Sequence, residues 1–187
     1  KNNEQDSTYK SYYYGGKLRT EGKFKNGLKI GTWKYYYSSG KLKEEENFIE
    51  GKLQGIDKIY NPDGSLDKTI TFEDNILNGP YDLYSEKNQL AVRLNFKSNY
   101  IISYQYEEKP GVFTAPIPLK GSSGKVESKF PNGKQSASFT YNSNSQEGER
   151  KLFYPNGNIY IQGARKYGYF QGPVKSYYPN GNIWKEE

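Results

Sequence analysis

The sequence contains neither histidine nor cysteine. The common acid–base and nucleophile constellations are therefore out of reach, as are disulfides and thiolate metal sites. Carboxylates remain, and the densest run is Glu44, Glu45 and Glu46 beside Lys41 and Lys43. Successive side chains on a strand alternate faces. The run therefore reads as a solvated, salt-bridged surface and not as a hydrolytic carboxylate pair. The 20 glycines fall on a turn period, which accounts for them without a phosphate-cradling loop. The expectation is a non-enzyme with no metal and no cofactor.

Aromatic residues dominate instead: 17% of the chain, with 20 tyrosines. Their spacing reveals a repeat, the feature to seek first. Gly16, Gly40 and Gly64 stand 24 residues apart, Asn88 takes the next step, and Gly133, Gly157 and Gly181 resume it. A second series runs Gly31, Gly55, Gly79, Ser103, then Gly124, Gly148 and Gly172, with one shortened interval of 21 before Gly124. A third column holds Gly27, Gly51, Asn75, Asn99, Asn144 and Gly168. Glycine and asparagine tolerate positive φ, so this column marks a backbone requirement. The chain is about seven copies of one unit, clearest at 31–55, "GTWKYYYSSGKLKEEENFIEGKLQG".

The period within a unit is two. Trp33, Tyr35 and Tyr37 alternate with Lys34 and Tyr36, and Leu42, Glu44, Glu46 and Phe48 share parity. That alternation predicts strands. Turns such as "NPDG" at 61–64 and "YPNG" at 154–157 and 178–181 place Pro where φ near −65° opens a type I turn and Gly where a left-handed residue closes it. The fold class is all-β: an elongated, single-layer antiparallel array of β-hairpins, twisted into a ribbon or half-pipe. Seven units would extend on the order of 65–70 Å, ~20 Å wide.

Composition agrees. Only 33% of residues are hydrophobic and the mean hydropathy is −1.02, while the aromatic content argues against disorder. An ordered, thin structure with little central core results, as in repeat proteins. The net charge is +6, but acidic and basic residues are interspersed, which argues against nucleic acid. No apolar run approaches ~20 residues. Residues 1–7 form a polar tether of the kind left when a bacterial lipoprotein loses its signal and lipid-bearing cysteine. The expected location is the cell envelope, with a cytoplasmic protein as the alternative. The repeats then fall in two blocks, 8–103 and 124–187, around an irregular segment at 104–123.

Residues 31–55 resemble the bacterial variant of the MORN repeat (membrane occupation and recognition nexus), whose pattern looks like G-x-W-x-x-Y-Y-x-x-G-K-L-x-x-E-x-x-F-x-x-G-x-x-x-G. The resemblance covers about 8–110 and 124–187. It implies extended hairpin arrays that act as scaffolds, as protein- or lipid-binding modules, and in some bacterial cases as antitoxin components. The segment 104–123 departs from the pattern and carries three prolines, so a central paired strand there is disfavoured.

The aromatic columns read first as packing between neighbouring hairpins. Tyr35, Tyr36 and Tyr37 cannot all share one face, however, and a sheet with tyrosine on both faces offers partner surface. The candidate partner-binding residues are Tyr13, Trp33, Tyr35, Tyr36, Tyr37, Tyr84, Tyr177 and Tyr178, with Val112, Phe113 and Ile117 of the irregular segment. That segment either folds back over the sheet or forms a joint that a partner grips. The function expected is a non-catalytic scaffold for a protein partner, antitoxin- or immunity-like or an envelope lipoprotein. A glycan or cell-wall module, or an anionic lipid surface, is the alternative. The chain is expected as a monomer or an end-to-end dimer through open sheet edges.

Overall fold

A computed structural model describes residues 7–187, so all of the polar tether except Ser7 lies outside the described residues. Among them there is no α-helix, only antiparallel strands and two short 3-10 turns. The chain divides into two compact units, Lys1–Gly79 and Pro80–Glu187.

In the first unit the strands are β1 Ser7–Tyr12, β2 Leu18–Lys25, β3 Leu28–Tyr36, β4 Leu42–Ile49, β5 Lys52–Leu53, β6 Gly55–Tyr60 and β7 Leu66–Glu73; β8, Ile76–Tyr84, begins there. They pair in chain order, with the short β5 on β4 only. Each first turn closes on a left-handed glycine, as at Gly40 (φ 95°). Each second turn does the same at Gly or Asn, as at Asn75 (φ 68°). The column read as a backbone requirement is one.

Packing here is thin. Trp33 is the centre, 2% exposed. Tyr9 stacks on it at 5.5 Å, Phe24 meets it edge-on at 4.9 Å, and Phe48 at 6.4 Å. Gly22 makes room for the indole: a Cβ there would lie 2.2 Å from the ring.

The second unit holds the rest of β8, then β9 Leu90–Lys97, β10 Tyr100–Gln105, β11 Glu107–Lys109, β12 Val112–Phe113, β13 Ile117–Pro118, β14 Gly124–Lys129, β15 Gln135–Asn142, β16 Ser145–Phe153, β17 Ile159–Lys166, β18 Tyr169–Tyr177 and β19 Ile183–Glu186. Strands β8, β9, β10 and β13 form one sheet region and β14 to β19 another. Strand β9 packs against β14 and β15. Ser136 donates to the Ala91 carbonyl at 2.6 Å, and Ser128 reaches the same oxygen at 3.0 Å. Val92, Leu94, Ile101, Leu119, Val126, Phe139 and Leu152 are buried together. This core is deeper than the composition suggested, because short serine and alanine side chains let the two strand sets approach closely.

The irregular segment folds back. Ile117 and Pro118 pair with Tyr104 and Ser103 at the edge of β10, and the Leu119 amide donates to the Ile102 carbonyl at 2.9 Å. Pro118 on an edge strand leaves no ladder bond broken. Residues 107–113 form a small separate hairpin.

Candidate interaction surfaces and an acidic cluster

Most of the tyrosines serve the repeat itself. Tyr13 donates to the Tyr36 carbonyl and Tyr37 to the Tyr60 carbonyl, both at 2.6 Å; in the second unit Tyr154 does the same to Tyr177. One turn is thereby tied to the corresponding turn of the next unit. Lysines reinforce the tie: Lys17 reaches the Ser39 carbonyl, Lys41 that of Asp63 and Lys134 that of Asn156. Second turns are joined by amide bonds, Gly51 to Lys29, Asn75 to Leu53, Asn144 to Ser122 and Gly168 to Gln146.

Tyr35 and Tyr36 point to opposite faces. Tyr36 donates to Glu21 at 2.6 Å, and burial followed by that carboxylate raises its hydroxyl to about 12. Tyr35 donates to Glu46 at 2.5 Å and is pushed up further, chiefly by burial. Trp33 is enclosed by its neighbours, and Lys29 lies over its ring at 4.4 Å. These positions hold the hairpins together, and stacking along the aromatic columns is confined to local groups such as Tyr9, Phe24, Trp33 and Phe48.

Tyr84 and Phe113 are brought together. They line one open groove of 560 Å³ with Asp82, Arg93 and Glu107. Arg93 grips the buried Asp82 through two hydrogen bonds, 2.8 and 2.7 Å, and its guanidinium lies 4.0 Å from the Phe113 ring centre. Val112 is exposed at the hairpin tip, while Ile117 packs on the core. Tyr177 is half-buried; Tyr178 is exposed and pairs with Trp184 at 6.4 Å.

Of the exposed large side chains on the last two hairpins, sequence reasoning named only Tyr178. Tyr169 is 77% exposed, Tyr167 72% and Trp184 54%, and Phe170, Tyr178 and Ile183 are exposed with them. Alternation along β18 and β19 carried no burial signal, because apolar residues fall on both parities there.

It also misjudged the acidic run. Glu45 does bridge Lys34, at 3.6 Å. All three glutamates are half-buried; Glu46 also bridges Lys29, at 3.9 Å, and shares the opposite face with Glu44 and Asp57, so the run is salt-bridged as expected but not solvated. Asp57 went unnoticed, although 24-residue counting puts it in the column of Trp33.

Repeated hairpins, positive-φ turn columns and turn-to-turn ties define a class: open antiparallel repeat proteins that present surface. Residues 5–26, 29–50, 146–165 and 170–187 match the MORN repeat variant family, and the chain carries these repeats. MORN repeats are in general modules of protein or membrane interaction. The hairpins between the matched segments follow the same register rules. No curated protein matches the chain.

Proposed function

We propose that this protein is a non-catalytic scaffold that holds a protein partner on its MORN-type repeats. One observation carries the reading: six large apolar side chains, Tyr167, Tyr169, Phe170, Tyr178, Ile183 and Trp184, stand exposed on the two C-terminal hairpins. Tyrosine and tryptophan bring apolar area together with a polar handle and dominate interface energetics. The lack of histidine and cysteine supports a role without catalysis. The finer assignment is an antitoxin- or immunity-like binder, or a lipoprotein at the cell envelope.

Capture from the native cells tests the reading. The wild-type chain should retain one protein in stoichiometric amount, and Tyr169→Ser with Trp184→Ser should lose it while keeping its circular dichroism spectrum. Absence of any stoichiometric protein, with sedimentation on anionic vesicles instead, would replace the protein partner with a lipid surface. Fractionation checks the envelope assignment, which a wholly cytoplasmic chain contradicts.

A further inference from the structure

On the face of the first unit that carries Trp33 and Tyr35, the antiparallel register sets Glu44 opposite Tyr35 and Glu46 opposite Trp33. The next strand, β6, pairs with β4 through Glu44 and Ile59. Asp57 is two residues from Ile59, so it shares that face. One carboxylate oxygen from each of Glu44, Glu46 and Asp57 lies within 4.8 Å of the others.

Counting by 24 shows how unusual this is for the repeat. The column of Glu46 holds Gly22, Ile70 and Leu94; that of Asp57 holds Trp33 and Tyr81; that of Glu44 holds Thr20, Lys68 and Val92. Most of these positions fill the packed face with apolar bulk. Here the same places carry three carboxylates, and Asp57 is 5% exposed. Its Oδ1 is buried with no hydrogen-bond partner. A buried carboxylate oxygen without a partner is costly.

The basic groups nearby do not reach the unpartnered Asp57 oxygen. Lys29 approaches Glu46 at 3.9 Å, beyond hydrogen-bond reach, and donates to the Tyr35 hydroxyl at 2.9 Å. Lys68, opposite Ile59, and Lys43 act on the cluster only as more distant charges. Burial first, then Glu44 and Glu46, push the Asp57 carboxyl up to about 7. Burial also raises Glu44, with Glu46 adding to it.

We propose that Glu44, Glu46 and Asp57 form a binding site for a hard divalent cation of the calcium class. The donor set is all oxygen, which suits Ca²⁺ and excludes a preference for soft metals. Two oxygens held at ~2.4 Å by one Ca²⁺ can stand at most ~4.8 Å apart. The trio already meets that limit. Mg²⁺ demands a near-ideal octahedron and gives up its waters reluctantly, so a site of three protein carboxylates suits it less. The bound ion would give the Asp57 oxygen its missing partner. It would also clamp β4 to β6 where their direct pairing is short, covering only Glu44 with Ile59 and Glu45 with Lys58. This site is independent of the partner surface on the last hairpins.

Terbium supplies the test, because Trp33 lies opposite Glu46 and can sensitise its emission. Tb³⁺ should bind the full chain one to one, and Ca²⁺ should displace it with half-effect at or below ~1 mM, well ahead of Mg²⁺. Ca²⁺ should also raise the thermal midpoint. Asp57→Asn and Glu46→Gln should each weaken Tb³⁺ binding ~10-fold or more, since affinity follows the charge count. Glu45→Gln, on the other face, should leave it unchanged. Circular dichroism verifies that each variant folds. Absence of sensitised emission from the wild type, or emission indifferent to both ligand variants, overturns the site and leaves a trio that shares a proton instead.

Discussion

The Tyr37 hydroxyl donates to the backbone carbonyl of Tyr60 at 2.6 Å, one repeat further along the chain. The same bond joins Tyr13 to Tyr36 and Tyr154 to Tyr177. A polar tie of this kind replaces apolar packing in a chain that has little apolar surface to bury. Tyr37→Phe removes the donor and leaves a carbonyl in a partly buried turn. The expected cost is ~1 kcal/mol, measured by urea denaturation. Tyr178→Phe, at an exposed hydroxyl in the equivalent column, should cost less.

Gly22 is fixed by sterics and not by its dihedral angles. Its ideal Cβ meets the Trp33 ring at 2.2 Å. Gly22→Val should destabilise the first unit by at least ~2 kcal/mol through overpacking. Trp33→Ala alone should cost ~3–5 kcal/mol as a core truncation. Because the two compete for one space, the double variant should lose less than the sum, with a coupling of ~1–3 kcal/mol. Denaturation midpoints of the four proteins give the cycle.

Asn144 does two jobs in the second unit. It takes φ 67° in its turn, and its side chain accepts from the Ile101 amide at 2.9 Å and donates to the Asn99 carbonyl at 3.0 Å. Asn144→Gly keeps the backbone and loses the bonds, for ~1–2 kcal/mol. Asn144→Ala loses both and should cost ~1 kcal/mol more. Equal losses in the two variants would show that the backbone angle is immaterial.

The pair Arg93 and Asp82 supports Phe113 from below. Asp82→Ala strands a half-buried guanidinium, and breaking such a pair costs ~3–5 kcal/mol at full burial; partial exposure of Arg93 lowers that figure. The hairpin 107–113 should exchange its amides faster than in wild type, while those of β16 and β17 keep their protection. Hydrogen-exchange mass spectrometry reads both regions at once.

Much of this architecture was legible because turns punctuate it. Gly51, Asn75 and Asn144 announced left-handed turns, and all three have positive φ. Pro116 and Pro118 disfavoured a central strand in the irregular segment, and β13 is a two-residue edge strand. The contents of the faces were harder to read. Glu44 and Glu46 looked solvated because strand parity says which residues share a face, not whether that face is covered. Asp57 comes from the neighbouring hairpin, so no local pattern joins it to them. The exposure of Tyr169 and Trp184 was equally hidden, since aromatic residues at other positions, such as Trp33 and Tyr154, are packed.

The central claim is that the repeats supply surface for a protein partner, and photo-crosslinking in living cells tests it most directly. A benzophenone side chain placed at Tyr169 should yield one discrete protein adduct. The same group at Lys58, among the charged side chains of the first unit, should yield none. A discrete adduct at Lys58 with none at Tyr169, or no adduct at either position, would contradict the account.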